Sequence, residues 1–238
     1  LVDGKRVLSV RTKWFDLPVI VLCICPMASS YMNGLGVYDG LSSILDHVVL
    51  WGFPYWLGRA YFSKAHEIRE LAIGLLIAGL VYAPLCLFEV RMSPQLHNWI
   101  YGWFPAPFRN QMRMGGYRPM VFMHTGLMLS MFMASTATIG FWLWKGGALR
   151  RIAGIPMGPA VGFLATTVIL CKSGYAILAM LAGIGMFYAL RLAKSRWVLV
   201  ALVMVPPMYI GVRHGLGWSG QGVLEAVAVV SENRAGSL

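Results

Sequence analysis

The sequence predicts an all-α fold, a polytopic bundle of about seven transmembrane helices with its N-terminus in the cytoplasm. Of 238 residues, 58% are hydrophobic and 12% are charged, and the mean hydropathy is +0.66, outside the range of soluble globular domains. Several apolar stretches approach the length of about 20 residues that a membrane-spanning helix needs. Lysine and arginine also cluster in alternate connections, which is typical of a multi-span membrane protein.

The apolar stretches give the predicted order of the spans. They lie near residues 16–32, 41–61, 70–88, 119–144, 156–171, 174–192 and 196–213. We therefore predict a helical bundle over residues 1–213, a longer outer connection at 89–118, and the start of an outer loop at 214–238. The chain begins without methionine and shows no cleavable signal peptide, so we expect it to be part of a longer protein.

Lysine and arginine predict the face that each connection occupies. The inner connections hold three or four cations each: Lys5, Arg6, Arg11 and Lys13; Arg59, Lys64 and Arg69; Lys145, Arg150 and Arg151; and Arg191, Lys194 and Arg196. The outer connections hold none at 33–40, then Lys172 before the sixth stretch, and Arg213 and Arg234 after the last. These topology signals account for much of the net charge of +11, so no nucleic-acid partner is predicted.

The outer connection at 89–118 departs from this charge pattern. Four arginines lie on a face where cations are usually few: Arg91, Arg109, Arg113 and Arg118. The segment is also aromatic, with Trp99, Tyr101, Trp103, Phe104, Phe108 and Tyr117. Two explanations stay open: the segment anchors the protein at the level of the lipid headgroups, or its arginines bind a ligand.

Two outer turns combine a cation with the predicted start of a helix. Arg118 precedes Pro119, a residue that favours the first helical position, and Ser173 can cap the span that follows Lys172. Free amides and the helix dipole attract anions at such positions. Arginine binds phosphate through two parallel hydrogen bonds, and lysine adds a point charge. We therefore predict a phosphate or pyrophosphate site; the alternative for each cation is snorkelling toward lipid headgroups.

Candidates for acid–base chemistry follow the third apolar stretch. Glu89 and Arg91 lie close together in the sequence, and His97 follows them. Glu89 or His97 is a candidate general base, and the alternative is that Glu89 orients Arg91. We favour the second role for Glu89.

Ionisable residues inside a span are functional candidates because their burial in lipid is costly. Asp46 and His47 lie in the second stretch, where they serve a function or pair with a neighbouring helix, and His124 is expected to be a packing residue. No phosphate-binding glycine loop, metal-ligand pattern or nucleophile elbow occurs, so neither a cofactor nor a metal is predicted. The cysteines are expected to be small buried hydrophobic residues: Cys23, Cys25, Cys86 and Cys171.

Four segments, FEVRMSPQLH, GGYRPMVFMHTG, LCKSGYAIL and ENRAGSL, resemble in that order the bacterial O-antigen ligase and O-antigen polymerase superfamily. In that family an outer arginine introduces a central span, matched by Arg118, and a short Ser-Arg or Lys-Ser turn precedes a later span, matched by Lys172 and Ser173. An Arg-x-x-Ser element opens a large periplasmic loop, matched by Arg234 and Ser237. The family's loop carries a histidine that acts as base, and we expect it to follow residue 238.

The resemblance implies a metal-independent glycosyltransferase in the bacterial inner membrane. Such an enzyme moves a glycan from an undecaprenyl-pyrophosphate carrier to a hydroxyl of a lipid or glycan acceptor at the periplasmic face, in the biosynthesis of lipopolysaccharide and other surface polysaccharides. Pyrophosphate binding then falls to Arg118, Lys172, Ser173 and Arg213. Catalytic roles fall to Glu89, Arg91 and Arg234.

Two other classes of protein fit parts of the sequence. A transporter or flippase of lipid-linked glycans also needs outer cations, but it needs charged groups along a path through the membrane, and the predicted spans carry few. A non-catalytic membrane scaffold needs cations only to meet anionic headgroups. A transferase that acts at one face of the membrane is the preferred interpretation.

Overall fold

The computed structural model describes residues 10–105, 111–113, 115–193 and 197–215, and this part of the chain is mostly helical. A 3₁₀ turn (Trp14–Asp16) leads into α1 (Leu17–Met32), which is followed by α2 (Val37–His47), a π-helical turn (Val48–Gly52) and α3 (Phe53–Tyr61). The later helices are α4 (Ala65–Met92), α5 (Leu96–Tyr101), α6 (Gly126–Lys145), α7 (Met157–Leu170), α8 (Gly174–Ala193) and α9 (Trp197–Gly215). Two antiparallel hairpins pair β1 (Met112–Arg113) with β2 (Gly116–Tyr117) and β3 (Arg151–Ile152) with β4 (Ile155–Pro156).

Within the described residues, four helices are long and apolar enough to cross a membrane: Trp14–Met32, α4, α6 and α8. This finding confirms a helical protein with membrane-spanning segments, while the number of seven spans and the cytoplasmic N-terminus stay predictions. The fifth and seventh predicted spans are shorter apolar helices, Met157–Leu170 and Val200–Gly211. The second predicted span consists of α2, the π turn and α3, which follow one another with helical backbone at both junctions.

Helices α4, α6 and α7 pack closely, and α6 runs antiparallel to both of the others. A Cβ added at Gly79 of α4 would lie 2.5 Å from Thr136 Oγ1 of α6. A Cβ added at Gly140 of α6 would lie 2.9 Å from Leu76 Cδ1 and 3.2 Å from Val161 Cγ2. Small residues permit this approach, and van der Waals packing between closely spaced helices is a main source of their association in lipid.

The antiparallel packing gives these three helices two ends that differ in their side chains. At the Arg69 end, Arg69 Nη2 donates a 2.7 Å hydrogen bond to the carbonyl of Ala148. Lys145 and Arg150 lie in the same connection after α6, so two cation groups predicted on the inner face share this end. The opposite end, the Glu89 end, contains the last turn of α4 and the segment that precedes α6.

A buried carboxylate that the sequence analysis did not identify joins the first span to α3. Asp16 is 1% exposed, pairs with the Arg59 guanidinium and accepts a 2.6 Å hydrogen bond from Tyr55 Oη. The backbone N–H of Lys13 donates a 2.6 Å hydrogen bond to the same carboxylate. The Arg59 guanidinium also lies 4.8 Å from the centre of the Phe15 ring. These contacts fix the start of the first span against α3.

The chain divides into two compact units, Leu1–Ala179 and Met180–Leu238. The contacts described above belong to the first unit. The described part of the second unit is the remainder of α8 together with α9, and it carries many exposed apolar side chains. Such surfaces suit helices whose surroundings are lipid.

The close contact between α4 and α6 gives a test of the helix packing. We expect Gly79→Ala to lower the thermal midpoint of the protein in detergent by several degrees, because the new methyl group collides with Thr136 and overpacking costs about 1–3 kcal/mol. Gly74→Ala is the matched control, since Gly74 is exposed on α4 and its Cβ would meet nothing within 4 Å. Equal midpoints for the two variants would contradict the packing.

Candidate functional site

Glu89 lies in the last turn of α4, and its side chain is fully buried, with an exposure of 0%. Its Oε2 accepts hydrogen bonds of 2.7 Å from the backbone N–H groups of both Met120 and Val121. Its Oε1 accepts a 3.0 Å hydrogen bond from the N–H of Leu96. Hydrogen bonds to an ionised acceptor are short and strong, so the carboxylate ties two separate chain segments to α4.

The segments that Glu89 holds are strained in their backbone. Ser93, directly after α4, has φ +91°, and Val121 has φ +50°, in the left-handed region that branched residues rarely adopt. Such conformations cost about 1–3 kcal/mol each and persist where the surrounding contacts enforce them. Glu89 supplies that enforcement, because it accepts the N–H of Val121 and that of Leu96, three residues after Ser93.

The predicted helix start at Pro119 is wrong. Helix α6 begins at Gly126, and Thr125 caps it by accepting a 3.3 Å hydrogen bond from the N–H of Met128. The cause is Glu89, whose carboxylate binds the amides of residues 120 and 121 that the prediction left free for an anion. The amides of residues 120 and 121 are therefore not free to bind an anion at Arg118.

Three of the predicted anion-binding residues do lie together. Arg118 Nη2 donates a 3.2 Å hydrogen bond to Ser173 Oγ, between residues 55 positions apart in the chain. Lys172 Nζ lies beside Gly116, where an added Cβ would be 1.9 Å from that nitrogen. We call Gly116, Arg118, Lys172 and Ser173 the Arg118 cluster. Arg118 and Lys172 are half-buried, and Ser173 is buried.

Two glycines make room for the cations of the Arg118 cluster. Gly116 leaves the space that Lys172 Nζ occupies, and a Cβ at Gly126 would lie 2.9 Å from both Cγ and Cδ of Arg118. The aliphatic part of Arg118 therefore crosses the start of α6 in close contact. The sequence analysis missed both glycines, although Gly116 lies two residues before Arg118 and Gly126 follows it in the same quoted motif.

The residues of the Arg118 cluster lie at the end of the β1–β2 hairpin and in the connection between α7 and α8. The β1–β2 hairpin is closed by the N–H of Arg118, which donates a 2.7 Å hydrogen bond to the carbonyl of Gln111. Lys172 adopts φ +52° between α7 and α8, so the chain reverses there within a very short connection. Ser173 was predicted to cap α8; its carbonyl accepts from the N–H of Ile177 at 3.1 Å, while its hydroxyl accepts from Arg118.

The chemistry of the Arg118 cluster suits a phosphorylated ligand. A guanidinium, an ammonium and a hydroxyl from two chain segments meet at one end of the helices. Guanidinium and ammonium groups are the two cationic donors that proteins use for phosphate, the first through paired hydrogen bonds and the second as a point charge. Because the carboxylate of Glu89 is engaged by three backbone amides, it is not arranged as a proton acceptor.

The preferred role for Glu89 in the sequence analysis was to orient Arg91, and the structure shows a different arrangement. Arg91 is exposed, and the described residues contain no ion pair between it and Glu89. The backbone amides bind the carboxylate because they reach it inside the structure, whereas Arg91 is exposed. Arg213 lies in α9, but its side chain is outside the described part of the structure, and Arg234 and Ser237 lie outside the described residues.

The histidines near the Glu89 end occupy different environments. His97 is 6% exposed, its Nδ1–H donates a 2.9 Å hydrogen bond to the carbonyl of Trp103, and its ring packs against Tyr101. It therefore stabilises the connection between α5 and the following turn. His124 was expected to pack inside a span, but it is exposed in the turn before α6, with its ring 6.5 Å from that of Trp103.

The candidates of the second predicted span lie elsewhere. Asp46 is exposed on α2, and the Nδ1–H of His47 donates a 2.8 Å hydrogen bond to the carbonyl of Ser43, one turn earlier. This local bond satisfies His47 within its own helix. The cysteines are free; Cys25 is exposed, contrary to the expectation of burial, and the buried ones are Cys23, Cys86 and Cys171.

Comparisons of the chain with protein-family models, with curated proteins and with solved structures gave no match.

The hydrogen bonds of Glu89 predict a large effect of its removal. We expect Glu89→Ala to lower the thermal midpoint strongly and to speed hydrogen exchange at the amides of Met120 and Val121, because an unsatisfied buried group costs about 1–3 kcal/mol. Glu89→Gln keeps the shape and one acceptor oxygen and should have a smaller effect. Glu70→Gln, at an exposed acid of the same helix, is the control. A Glu89→Ala midpoint equal to that of the parent would disprove the role.

Proposed function

We propose that the chain is the membrane part of a glycosyltransferase of the O-antigen ligase or polymerase type, which moves a glycan from undecaprenyl pyrophosphate to an acceptor hydroxyl. The observation that carries the proposal is the contact of Arg118 with Ser173 and the position of Lys172 beside Gly116. Residues that were predicted from separate turns to bind one pyrophosphate lie together at one end of the helices. The segments that carry them are the same segments that resemble the family.

The reaction needs little beyond charge stabilisation and positioning on the donor side. The acceptor oxygen attacks the anomeric carbon of the first sugar, the bond from that carbon to the pyrophosphate oxygen breaks, and negative charge grows on the departing pyrophosphate. Arg118 and Lys172 are placed to stabilise that charge, and preorganised donors of this kind are usually the largest single contribution to catalysis. Ser173 keeps the guanidinium in place before the substrate binds.

The acceptor hydroxyl must also lose a proton. Glu89 is a poor candidate for that task, because its two oxygens already accept three backbone hydrogen bonds. We assign it to positioning, since it holds the non-helical segment that leads from Arg118 into α6. Arg91 and Arg234 remain candidates for catalytic roles, Arg234 at the acceptor, and the base belongs to the large loop that the family resemblance implies.

The proposal places the Glu89 end at the periplasmic face of a bacterial inner membrane. The Arg69 end then faces the cytoplasm with its cations, as the positive-inside rule requires. The lipid carrier reaches the Arg118 cluster from the bilayer, with its polyprenyl chain among lipid and its pyrophosphate at the surface. The partners are the lipid-linked glycan, a lipid or glycan acceptor, and membrane lipids.

Substitution of the cations tests the proposed activity. In membranes of the source cell, we expect Arg118→Ala and Lys172→Ala each to slow the release of undecaprenyl pyrophosphate from its glycosylated form by about 10²-fold, the loss typical of one charge-stabilising donor. Arg150→Ala, an exposed cation of the Arg69 end, should leave the rate unchanged. Parent rates in both cluster variants, inserted at parent levels, would contradict the pyrophosphate site that carries the proposal.

Reporter fusions test the proposed sidedness. Alkaline phosphatase is active only outside the cytoplasm, so a fusion after Phe104 should be active and a fusion after Gly147 should be inactive. Green fluorescent protein fused at the same two positions should give the opposite result, because it fluoresces only inside. The reverse pattern of activities would place the Arg118 cluster at the cytoplasmic face and contradict the proposal.

A further inference from the structure

Gln111, the residue before β1, carries a polar group that its surroundings do not satisfy. Its side chain is 4% exposed, and its amide oxygen Oε1 is buried without a hydrogen-bond donor among the described residues. Buried polar atoms in proteins are nearly always hydrogen-bonded, so an exception calls for an explanation. A ligand that brings a donor to this oxygen is one such explanation.

The hairpin register places Gln111 beside the Arg118 cluster. The N–H of Arg118 donates to the carbonyl of Gln111 just beyond the Met112–Tyr117 pair, although Gln111 itself has 3₁₀ rather than extended backbone. Opposite residues of an antiparallel pair project to the same face, and so do residues two positions apart in one strand. Gly116 and Arg118 therefore share one face of the hairpin, Lys172 Nζ lies on that face at Gly116, and Gln111 adjoins them through its backbone bond to Arg118.

The chemistry of Oε1 selects the part of a ligand that can meet it. An amide oxygen accepts hydrogen bonds, and an ionised pyrophosphate offers acceptors alone, so the pyrophosphate itself cannot satisfy Oε1 of Gln111. The group covalently attached to the pyrophosphate in a lipid-linked glycan is a sugar, whose hydroxyl and acetamido N–H groups are donors. A neutral amide also stands beside a bound anion without the repulsion that a carboxylate would cause.

We propose that Gln111 is a specificity-determining residue that accepts a hydrogen bond from the first sugar of the glycan, next to the pyrophosphate held by Arg118 and Lys172. The inference rests on the proposed function of the Arg118 cluster and deepens it by naming the sugar contact. Sites built to hydrogen-bond a substrate group discriminate strongly against analogues that lack it, because the buried partner is then left unpaired. Gln111 thus distinguishes a loaded carrier from the empty undecaprenyl pyrophosphate that is the product.

Binding of two probes to the purified full chain in detergent tests this assignment. The probes are farnesyl pyrophosphate and the same lipid with N-acetylglucosamine on its terminal phosphate. We expect the parent to bind the glycosylated probe more tightly. Gln111→Met, which keeps the length without the amide, should weaken the glycosylated probe about tenfold and leave the sugar-free probe unchanged. Gln95→Met, at a half-buried glutamine before α5, is the matched control and should change neither.

The outcomes separate the sugar contact of Gln111 from the pyrophosphate site on which it rests. Equal affinity of the parent for both probes, or a Gln111→Met variant that weakens both or neither, overturns the sugar contact. Arg118→Ala should weaken both probes; parent affinity for both in that variant contradicts the pyrophosphate site and not merely the role of Gln111. If Gln111→Met does not fold, Gln111→Asn withdraws the amide by one methylene, and the same selective loss is expected.

Discussion

Backbone N–H groups at the end of a helical bundle need acceptors, and inside a membrane protein water often does not supply them. Each unsatisfied group in hydrocarbon costs several kcal/mol, which is why spanning segments are helical throughout. At the Glu89 end the chain leaves helical geometry directly after α4 and again before α6, and one carboxylate accepts the N–H groups of Leu96, Met120 and Val121. The non-helical path of this connection depends on that acceptor.

The Arg118 cluster depends on the same carboxylate. Arg118 lies two residues before Met120, in a segment that would otherwise satisfy its amides by becoming helical, and a helix there would turn the guanidinium to another direction. With the segment held out of helical geometry, Arg118 crosses Gly126 and reaches Ser173, and Lys172 lies beside Gly116. The close packing of α4 with α6 at Gly79 fixes the distance between Glu89 on α4 and the segment before α6 that it binds.

The sequence was sufficient for the helical membrane class, because lipid imposes a composition and a span length that no other environment requires. It also singled out Arg118, Lys172 and Ser173, since a cation next to a turn is visible locally; the structure brings them together, and their binding of an anion stays a prediction. The role of Glu89 was not visible: its partners lie up to 32 residues away and are backbone groups, so no side-chain pattern records them. Pro119 wrongly predicted a helix start, because the carboxylate that binds the amides after it lies far away in the sequence. The pair of Asp16 with Arg59 joins residues 43 positions apart and likewise leaves no local signal.

The central claim is that the Arg118 cluster binds the pyrophosphate of a lipid carrier. The most direct test is an electron cryomicroscopy structure of the full protein in a lipid nanodisc with undecaprenyl pyrophosphate, with a bound antibody fragment to supply mass. The account predicts pyrophosphate density within about 3 Å of the Arg118 guanidinium and the Lys172 ammonium. Pyrophosphate bound at another place, with Arg118 still held by Ser173 alone, would contradict it.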